Sequence, residues 1–290
     1  MTKPLREYHK EFLAELKKKK KAISTLLAYG KDVEQFIDFL ERQHQLNDAT
    51  LVTKEMVQEF SKELQDKRYT DKSVVRKINS LKAFFSFLEV SGEVSMNPVD
   101  RIDRPKFENA APRILTKLEY RSLRDVCRSD RRISAIVELL LQTGIRISEL
   151  AALKIEDFDS VKKTLQVKSP DNEAVSRMIP LNNAAVRSLQ DYISIRPKAR
   201  EKTIFVTKTL KPFLVRNIRS AIDRYFRLAG IKNAKVNDLR HTFIVEQLMA
   251  GTPLVYVSQL VGHKRITTTE KYLQFLGNNL DTSSMKIEEL

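Results

Sequence analysis

Residues 104–113 interrupt the hydrophobic periodicity of the chain and separate two halves of different character. The stretch reads Arg-Pro-Lys-Phe-Glu-Asn-Ala-Ala-Pro-Arg and follows neither a helical nor a strand repeat. Proline cannot continue a helix and restricts the residue before it to extended backbone. The stretch therefore predicts an extended linker between domains at residues 1–103 and 114–277, followed by a tail at 278–290. A chain of 290 residues is long enough for a core in each domain.

The first half predicts helices only. Apolar residues recur every three or four positions in three stretches, 24–40, 53–64 and 70–88, which is the pattern of amphipathic helices. Each stretch begins with hydroxyl residues suited to cap a helix, namely Ser24 or Thr25, Thr53, and Thr70 or Ser73. Residues 1–103 therefore predict a small all-helical domain.

The second half predicts a mixed fold. Thr116 and Glu119 have the spacing of a capping box that opens a helix. Helical patterns lie near 117–129, 133–143, 148–153, 182–195, 213–229, 238–250, 253–261 and 266–276. Thr164–Lys168 and Val175–Leu181 alternate like strands, and Ser169–Asn172 between them has turn chemistry. The expected fold class is mainly α with a small β-sheet, in a helical N-terminal domain and an α+β C-terminal domain.

The charge balance favours a polyanionic partner. The chain carries 52 Lys and Arg against 37 Asp and Glu, a net charge of +15. Residues 1–105 hold 20 basic against 17 acidic residues, so most of the excess lies in the second half. Nucleic acid is the commonest partner of such proteins, although a basic protein without one fits the charge equally well. The Lys17–Lys21 run suits either non-specific phosphate contact or a solvated segment.

Two classes of protein are disfavoured by composition. A single cysteine, Cys127, excludes an intrachain disulfide and a cysteine-based zinc site, and we expect it in a core helix without reactivity. No apolar run approaches the roughly 20 residues of a membrane span. The sequence predicts a cytosolic protein with no membrane partner, no metal and no cofactor.

Three short motifs supply side chains for cleaving a phosphodiester without a metal. They are Thr143-Gly-Ile-Arg146-Ile-Ser-Glu149-Leu, Asp238-Leu-Arg240-His241-Thr, and Leu260-Val-Gly-His263 through Tyr272. Arg146 and Arg240 would bind the non-bridging oxygens, because a guanidinium stays charged and offers a planar fork of donors. Gly144 allows a sharp turn ahead of Arg146, and the helix start near Arg240 adds positive potential.

The remaining candidates would supply the nucleophile and move protons. Tyr272 is the candidate nucleophile, and its phenol needs activation because its ordinary pKa is about 10. His263 is placed to donate to the phosphate or to manage the proton of the nucleophile. Lys168, at a strand end, is the candidate general acid for the leaving 5′-hydroxyl, with Lys162 and Lys163 as alternatives. Each residue taken singly also has an ordinary structural explanation, so the prediction depends on the set.

These motifs resemble those of the tyrosine recombinase (phage integrase) family, in its compact Xer-like branch, over nearly the whole chain. In the first half the resemblance to the SAM-like core-binding domain of the family rests on Ser24–Leu40, Ser80–Leu88, Gly92 and Asn97-Pro98. In the second half, Arg146, Lys168, Arg240, Gly262-His263 and Tyr272 match the two arginines, hairpin lysine, histidine and tyrosine of its catalytic domain.

The resemblance implies a site-specific DNA recombinase. In such enzymes the tyrosine, here Tyr272, forms a 3′-phosphotyrosyl bond and frees a 5′-hydroxyl, and a 5′-hydroxyl of the partner strand reverses the step without ATP or metal. Two DNA sites and four protomers exchange strands through a Holliday junction. The implied role is Xer-type resolution of chromosome or plasmid dimers, or integration and excision of a mobile element.

The resemblance also implies partners. It predicts binding to double-stranded DNA and self-association into a tetramer on DNA, with a paralogous recombinase or an accessory protein as candidate partners. The tail at Asp281–Leu290 carries Met285, Ile287 and Leu290. It would pack on a neighbouring protomer, as in the family, or remain a frayed terminus.

Two positions depart from the family pattern. Asn237 stands where the family usually carries a histidine, three residues before the second arginine, and an amide donates hydrogen bonds but cannot titrate. If that histidine relays a proton, the change slows cleavage roughly 10²–10⁴-fold; if it only donates a hydrogen bond, the loss is small. The other departure is the Ser-Pro-Asp-Asn turn after Lys168, where the family often has Gly-Lys-Gly.

We expect an active enzyme, because the other five positions are intact. Two alternatives remain from the sequence. One is a type IB topoisomerase-like enzyme that cleaves and rejoins one strand with the same residues. The other is a DNA-binding protein whose catalysis has lapsed at Asn237.

Overall fold

The chain divides into two compact units, Met1–Ala110 and Ala111–Leu290, and each is described by itself. The computed structural model describes residues 3–100, 102–103, 105, 111–169 and 172–276, without the side chains of 172–174. Most of the predicted linker, the centre of the predicted hairpin turn and the whole predicted tail lie outside these residues. None of the described helices combines the length and hydropathy that crossing a membrane requires.

The first unit is helical throughout the part described. Its α-helices are α1 (Leu5–Lys18), α2 (Ile23–His44), α3 (Lys54–Asp66) and α4 (Asp71–Val90), with a 3-10 helix at Ala49–Leu51. As predicted, the side chains of Thr53 and Thr70 cap α3 and α4 by accepting hydrogen bonds from backbone amides. The cap predicted at Ser24 or Thr25 is wrong. The carbonyl of Ala22 accepts from the amides of Thr25 and Leu26, so α2 begins one residue before the predicted caps.

A buried ion cluster joins α2 to α4. Asp32 on α2 is 1% exposed and accepts hydrogen bonds from Arg76, from Lys77 Nζ at 2.9 Å and from Ser80 Oγ at 2.9 Å. Every buried carboxylate needs such partners, because an uncompensated charge in the core costs several kcal/mol. Around the cluster the core is rich in phenylalanine, as in the edge-on pair of Phe36 and Phe60 at 5.2 Å.

The second unit combines helices with a small sheet. Its α-helices and strands are α5 (Lys117–Cys127), α6 (Arg131–Thr143), α7 (Ile147–Ala152), β1 (Phe158–Asp159), β2 (Thr164–Ser169), β3 (Asn172–Pro180), α8 (Asn183–Ile195), α9 (Val215–Leu228), α10 (Val236–Met249), α11 (Leu254–Val261) and α12 (Thr267–Glu270). The strands form an antiparallel sheet in the order β1-β2-β3, with Val167 opposite Arg177 and a register shift after Lys168. The capping box of Thr116 and Glu119 is present as predicted.

Two further predictions can be compared with this unit. Cys127 is buried in α5, which confirms its predicted position in a core helix, and burial, with the charge of Asp130, raises the pKa of its thiol to about 12. The continuous helix predicted at 266–276 is wrong. It is replaced by the single turn α12 and a 3-10 helix at Leu273–Phe275. The helix ends after Glu270, and the amide of Tyr272 bonds the carbonyl of Thr269 three residues back, in the tighter 3-10 pattern.

Candidate active site

A glycine turn between α6 and α7 positions Arg146. Gly144 ends α6 with a φ of +59°, and a Cβ there would lie 2.3 Å from Cδ1 of the buried Phe243 ring. Both the left-handed backbone and the missing side chain are therefore required at this position. The turn makes Arg146 the N-cap residue of α7 and leaves its side chain 41% exposed. The prediction that Gly144 turns the chain ahead of Arg146 is confirmed.

We expect Gly144→Ala to reduce the free energy of unfolding of the second unit by about 3 kcal/mol, from left-handed strain plus overlap with Phe243. Gly230→Ala is the matched control, since Gly230 has a φ of +72° but, among the described residues outside its chain neighbours, no atom lies within 4 Å of an added Cβ. The control loses only about 1 kcal/mol. Urea unfolding followed by circular dichroism measures both values. Equal losses would show that contact with Phe243 is unimportant.

Three arginines converge on the end of α11. The carbonyls of residues 260–262 accept in turn from Arg177 Nε at 2.6 Å, Arg240 Nη2 at 2.8 Å and Arg146 Nη2 at 2.7 Å. The last carbonyls of a helix lack partners within it and carry the negative end of its dipole. The end of α11 therefore offers acceptors that allow three like charges to lie close together. The structure brings Arg146 and Arg240 together, as the sequence predicted.

Glu149 balances part of this positive charge. Its carboxylate is 4% exposed and lies between Arg177, which donates to both oxygens at 2.9 Å, and Arg146, whose Nη1 lies 3.0 Å from Oε1. Burial alone would raise the pKa of this carboxyl. The hydrogen bonds and charge of Arg177, followed by those of Arg146, outweigh burial and lower the pKa below its usual value. Glu149 is therefore ionised at neutral pH.

Arg177 is a residue of this site that the sequence did not single out. It lies on β3, and its guanidinium packs over Gly262, where an added Cβ would come within 2.8 Å of Nη1. Gly262 has a φ of +67° and ends α11, so glycine is needed there for two reasons. The sequence pattern predicted the strand, but nothing local in it identified the partner of Arg177 on α7.

Arg240 is buried in α10 and connects two turns of the unit. Besides the carbonyl of Val261, it donates to the carbonyl of Gly144. Burial lowers the pKa of its guanidinium to about 10, and the neighbouring charge of Arg146 acts in the same direction. Arg240 is still charged at neutral pH.

Tyr272 is buried beside two histidines. Its side chain is 6% exposed, and its hydroxyl lies 2.6 Å from His241 Nδ1. The ring of His263 lies nearly parallel to the phenol, with centroids 6.5 Å apart. Burial raises the pKa of the Tyr272 phenol, and the charge of Arg240 opposes that rise. The contact with His241 was not predicted, although His241 belongs to a motif that the sequence singled out.

His263 is fixed by a hydrogen bond to α12. Its Nδ1 lies 2.7 Å from Thr269 Oγ1, and Thr269 is fully buried. Burial, followed by the charges of Arg240 and Arg146, lowers the pKa of His263 to about 4. The imidazole is therefore neutral at pH 7. Its position after Gly262, in a break between helices, agrees with the sequence.

Lys168 lies near the arginine cluster. Its Nζ is 2.8 Å from Asp157 Oδ1, and the cavity of about 270 Å³ that Lys168 lines is also lined by Glu149. The alternatives lie elsewhere: Lys162 is exposed near Asp159, and Lys163 Nζ bonds Asn183 Oδ1 at 3.0 Å. Of the three lysines, the geometry therefore favours Lys168. Asn237 lies exposed in the first turn of α10.

Comparison with known proteins matches both units of the chain to one family. Residues 113–277 match the phage integrase family, and residues 10–92 match the N-terminal SAM-like domain of phage integrases. Tyrosine recombinase XerC of Roseiflexus sp. (strain RS-1) is 31% identical over 263 residues, which cover 87% of this chain and 83% of that protein. Tyrosine recombinase XerD of Rickettsia conorii (strain ATCC VR-613 / Malish 7) is 28% identical over 285 residues, covering 91% and 92%.

The fold is shared with a solved integrase. The structure of the Tn1549 transposon integrase in complex with a circular intermediate DNA superimposes with a TM-score of 0.76 at 19% identity, covering 93% of this chain and 94% of that one. The mostly helical fold with a small antiparallel sheet is confirmed, as is the resemblance found in the sequence. The chain therefore belongs to the phage integrase family of tyrosine recombinases, enzymes that cleave and rejoin DNA through a tyrosine nucleophile.

Proposed function

We propose that this chain is a site-specific DNA recombinase in which Tyr272 attacks a DNA phosphodiester bound by Arg146 and Arg240. The observation that carries the proposal is the convergence of guanidinium groups at the end of α11, beside the buried hydroxyl of Tyr272. The charges of the arginines reach the same two rings: Arg240 acts on Tyr272, and Arg240 and Arg146 act on His263. A phosphate placed among them would meet the nucleophile and its cationic partners together.

The charge of the site suits the transition state. Arg146, Arg177 and Arg240 together with Glu149 have a net charge of about +2. The pentavalent transition state, in which phosphorus is bonded to five oxygens, carries about −2 once the phenol has lost its proton. A phosphodiester in its ground state carries only −1. The site therefore stabilises the transition state more than the substrate, which is the condition for catalysis.

The neutral His263 would donate a hydrogen bond to the phosphate. If Thr269 donates to Nδ1, the proton of the imidazole lies on Nε2, which is then a donor. Lys168 would protonate the leaving 5′-oxygen once its ammonium exchanges Asp157 for the substrate. The released 5′-hydroxyl and the 3′-phosphotyrosyl bond conserve the bond energy for strand exchange.

The exposed face of α9 is a candidate DNA contact. Arg216, Arg219, Arg224 and Arg227 are exposed on this helix, while Ile218, Ile222, Tyr225 and Phe226 are buried against the core. A helix with a core face and an arginine-rich outer face can lie along the phosphates of a DNA groove.

We expect Arg219→Ala and Arg227→Ala each to weaken DNA binding and to reduce the slope of log K against log salt by about one. The reason is that a variant with one phosphate contact fewer releases one counterion fewer from the DNA when it binds. Arg128→Ala is the control, since Arg128 is 81% exposed in the same unit but pairs with Asp125. Fluorescence anisotropy with a labelled duplex over a salt series measures the slopes. An unchanged slope in both α9 variants would remove α9 from the interface.

The proposed activity is tested with a suicide substrate nicked near the cleavage site, on which a covalent protein–DNA adduct accumulates. A DNA library is used first, and sequencing of trapped fragments gives the target site. Binding without any adduct would identify a DNA-binding protein with lapsed catalysis. Recombinant products from two duplexes would separate a recombinase from a topoisomerase-like enzyme, which relaxes DNA without exchanging partners.

We propose that the active assembly is a tetramer on two sites, alone or with a paralogous recombinase or accessory protein. The similarity to proteins named XerC and XerD favours Xer-type resolution of dimers. The similarity in fold to a transposon integrase leaves integration and excision as the second candidate role. The sequence of the trapped target, chromosomal or at the ends of a mobile element, distinguishes them.

A further inference from the structure

We propose that His241 accepts the proton of Tyr272 during attack, and so replaces the titratable group that is missing at Asn237. The inference rests on the proposed function, in which Tyr272 is the nucleophile. It adds a residue in direct contact with the reacting oxygen, and it explains how this chain compensates for its departure from the family pattern.

The helix that carries both positions makes the replacement possible. Asn237 and His241 are four residues apart on α10, so they lie on the same face, one turn from each other. The imidazole of His241 reaches the phenol with an Nδ1 to hydroxyl distance of 2.6 Å. A general base must lie within hydrogen-bond reach of the proton that it removes, and His241 meets this condition.

The neighbouring side chains are less well placed than His241 to remove the proton of Tyr272. A hydrogen bond to an imidazole nitrogen lies in the plane of the ring, whereas the ring of His263 is stacked at 14° to the phenol. Its Nδ1 is already bonded to Thr269. Asn237 cannot take up a proton. Among the side chains that the structure describes, His241 is the hydrogen-bond partner of the Tyr272 hydroxyl.

The surroundings of His241 keep it neutral. The groups that act on it or contact it are Asp238 and Arg240 on its own helix, Tyr272 after α12, and His263 after α11. Burial lowers the pKa of His241, the charge of Asp238 opposes this, and the charge of Arg240 lowers it further. A neutral imidazole with its proton on Nε2 presents a lone pair on Nδ1 to the phenol.

The step is balanced in protons and bonds. The O–H bond of Tyr272 breaks and an N–H bond forms at Nδ1 of His241, while the phenolic oxygen bonds to phosphorus. The bond from phosphorus to the 5′-oxygen breaks, and Lys168 supplies the proton of that leaving group. In rejoining, the imidazolium returns its proton to the departing Tyr272 oxygen.

The test uses His241→Gln, Asn237→His and the double variant on the nicked suicide substrate, under single-turnover conditions with protein in excess. Glutamine still accepts a hydrogen bond from the phenol but cannot take its proton, so a structural role survives this change and a proton-accepting role does not. We expect His241→Gln to form adduct about 100-fold more slowly. We expect Asn237→His to equal or exceed the unaltered protein, and the double variant to recover to within about 10-fold of it.

Two further measurements distinguish a general base at His241 from a structural role or from protonation of the leaving group. The rate of the unaltered protein falls in acid as His241 becomes protonated, and that acidic limb is lost in His241→Gln. A substrate with sulfur at the 5′-bridging position, whose thiolate leaves without a proton, restores a Lys168→Ala variant but not His241→Gln. Thermal unfolding and DNA binding of each variant are measured alongside, and both remain close to those of the unaltered protein.

The outcomes are distinct. A rate for His241→Gln within threefold of normal, an unchanged acidic limb, or rescue by the sulfur substrate would each overturn the inference. A double variant as slow as His241→Gln would show that the two positions are not equivalent, which overturns the replacement. If the unaltered protein forms no adduct, the proposed function fails instead.

Discussion

Tyr272→Phe is expected to bind DNA with unchanged affinity and to form no covalent adduct. The substitution removes one oxygen from a side chain that is 6% exposed, so the ring still fills its place in the core. The hydrogen bond to His241 is lost, which costs about 1 kcal/mol of stability. The chemical loss is complete, because phenylalanine has no nucleophile. Denaturing gel electrophoresis with the suicide substrate detects the adduct, and anisotropy measures binding.

Tyr256→Phe is the matched control for this variant. Tyr256 lies on α11 in the same unit and is 46% exposed, so its hydroxyl is the more accessible of the two. We expect the control to form adduct at the normal rate. An adduct that persists in Tyr272→Phe and disappears in Tyr256→Phe would transfer the nucleophile to Tyr256.

Arg240→Lys is expected to slow adduct formation by roughly 10³-fold, the loss typical of a transition-state donor. An ammonium keeps the charge but presents no planar fork, so it cannot contact the carbonyls of Gly144 and Val261 and still face the phosphate. We expect DNA affinity to change little, because many phosphates share the binding energy. Single-turnover rates at saturating protein measure the effect on adduct formation, and a separate binding measurement gives the effect on DNA affinity.

Arg128→Lys is the charge-matched control, since Arg128 is exposed and pairs with its helical neighbour Asp125. We expect its rate and its affinity to be normal. If Arg240→Lys cleaved at a similar rate to this control, charge alone would be sufficient at Arg240, and the fork geometry would have no part in catalysis.

Local chemistry made much of the fold predictable from sequence. The caps at Thr53, Thr70 and Thr116 are set by side chains that bond amides three residues away, so the sequence contains the whole interaction. The turn at Gly144 is similar, because only glycine adopts its backbone conformation without strain. The prediction of a continuous helix at 266–276 was wrong because the apolar residues there have helical spacing, and this spacing does not distinguish an α-helix from the short α-helical and 3-10 turns around Tyr272.

The residue types of the candidate site were predictable from the sequence, but the hydrogen bonds between them were not. Motif spacing identified Arg146, Arg240 and Tyr272, and the structure brings the two arginines onto neighbouring carbonyls. The bonds between Arg177 and Glu149, 28 residues apart, and between His241 and Tyr272, 31 residues apart, depend on how separate elements pack. No periodicity or cap signals such long-range pairs.

The end of α11 has a mechanical consequence for the enzyme. Three guanidinium groups, from three different elements, are anchored to consecutive peptide groups there. A displacement of that peptide segment would disturb all three bonds, because the three carbonyls belong to the same short stretch of chain. We therefore expect a contact that displaces the end of α11 to affect Arg146, Arg177 and Arg240 together, and so to lower activity without competing for DNA.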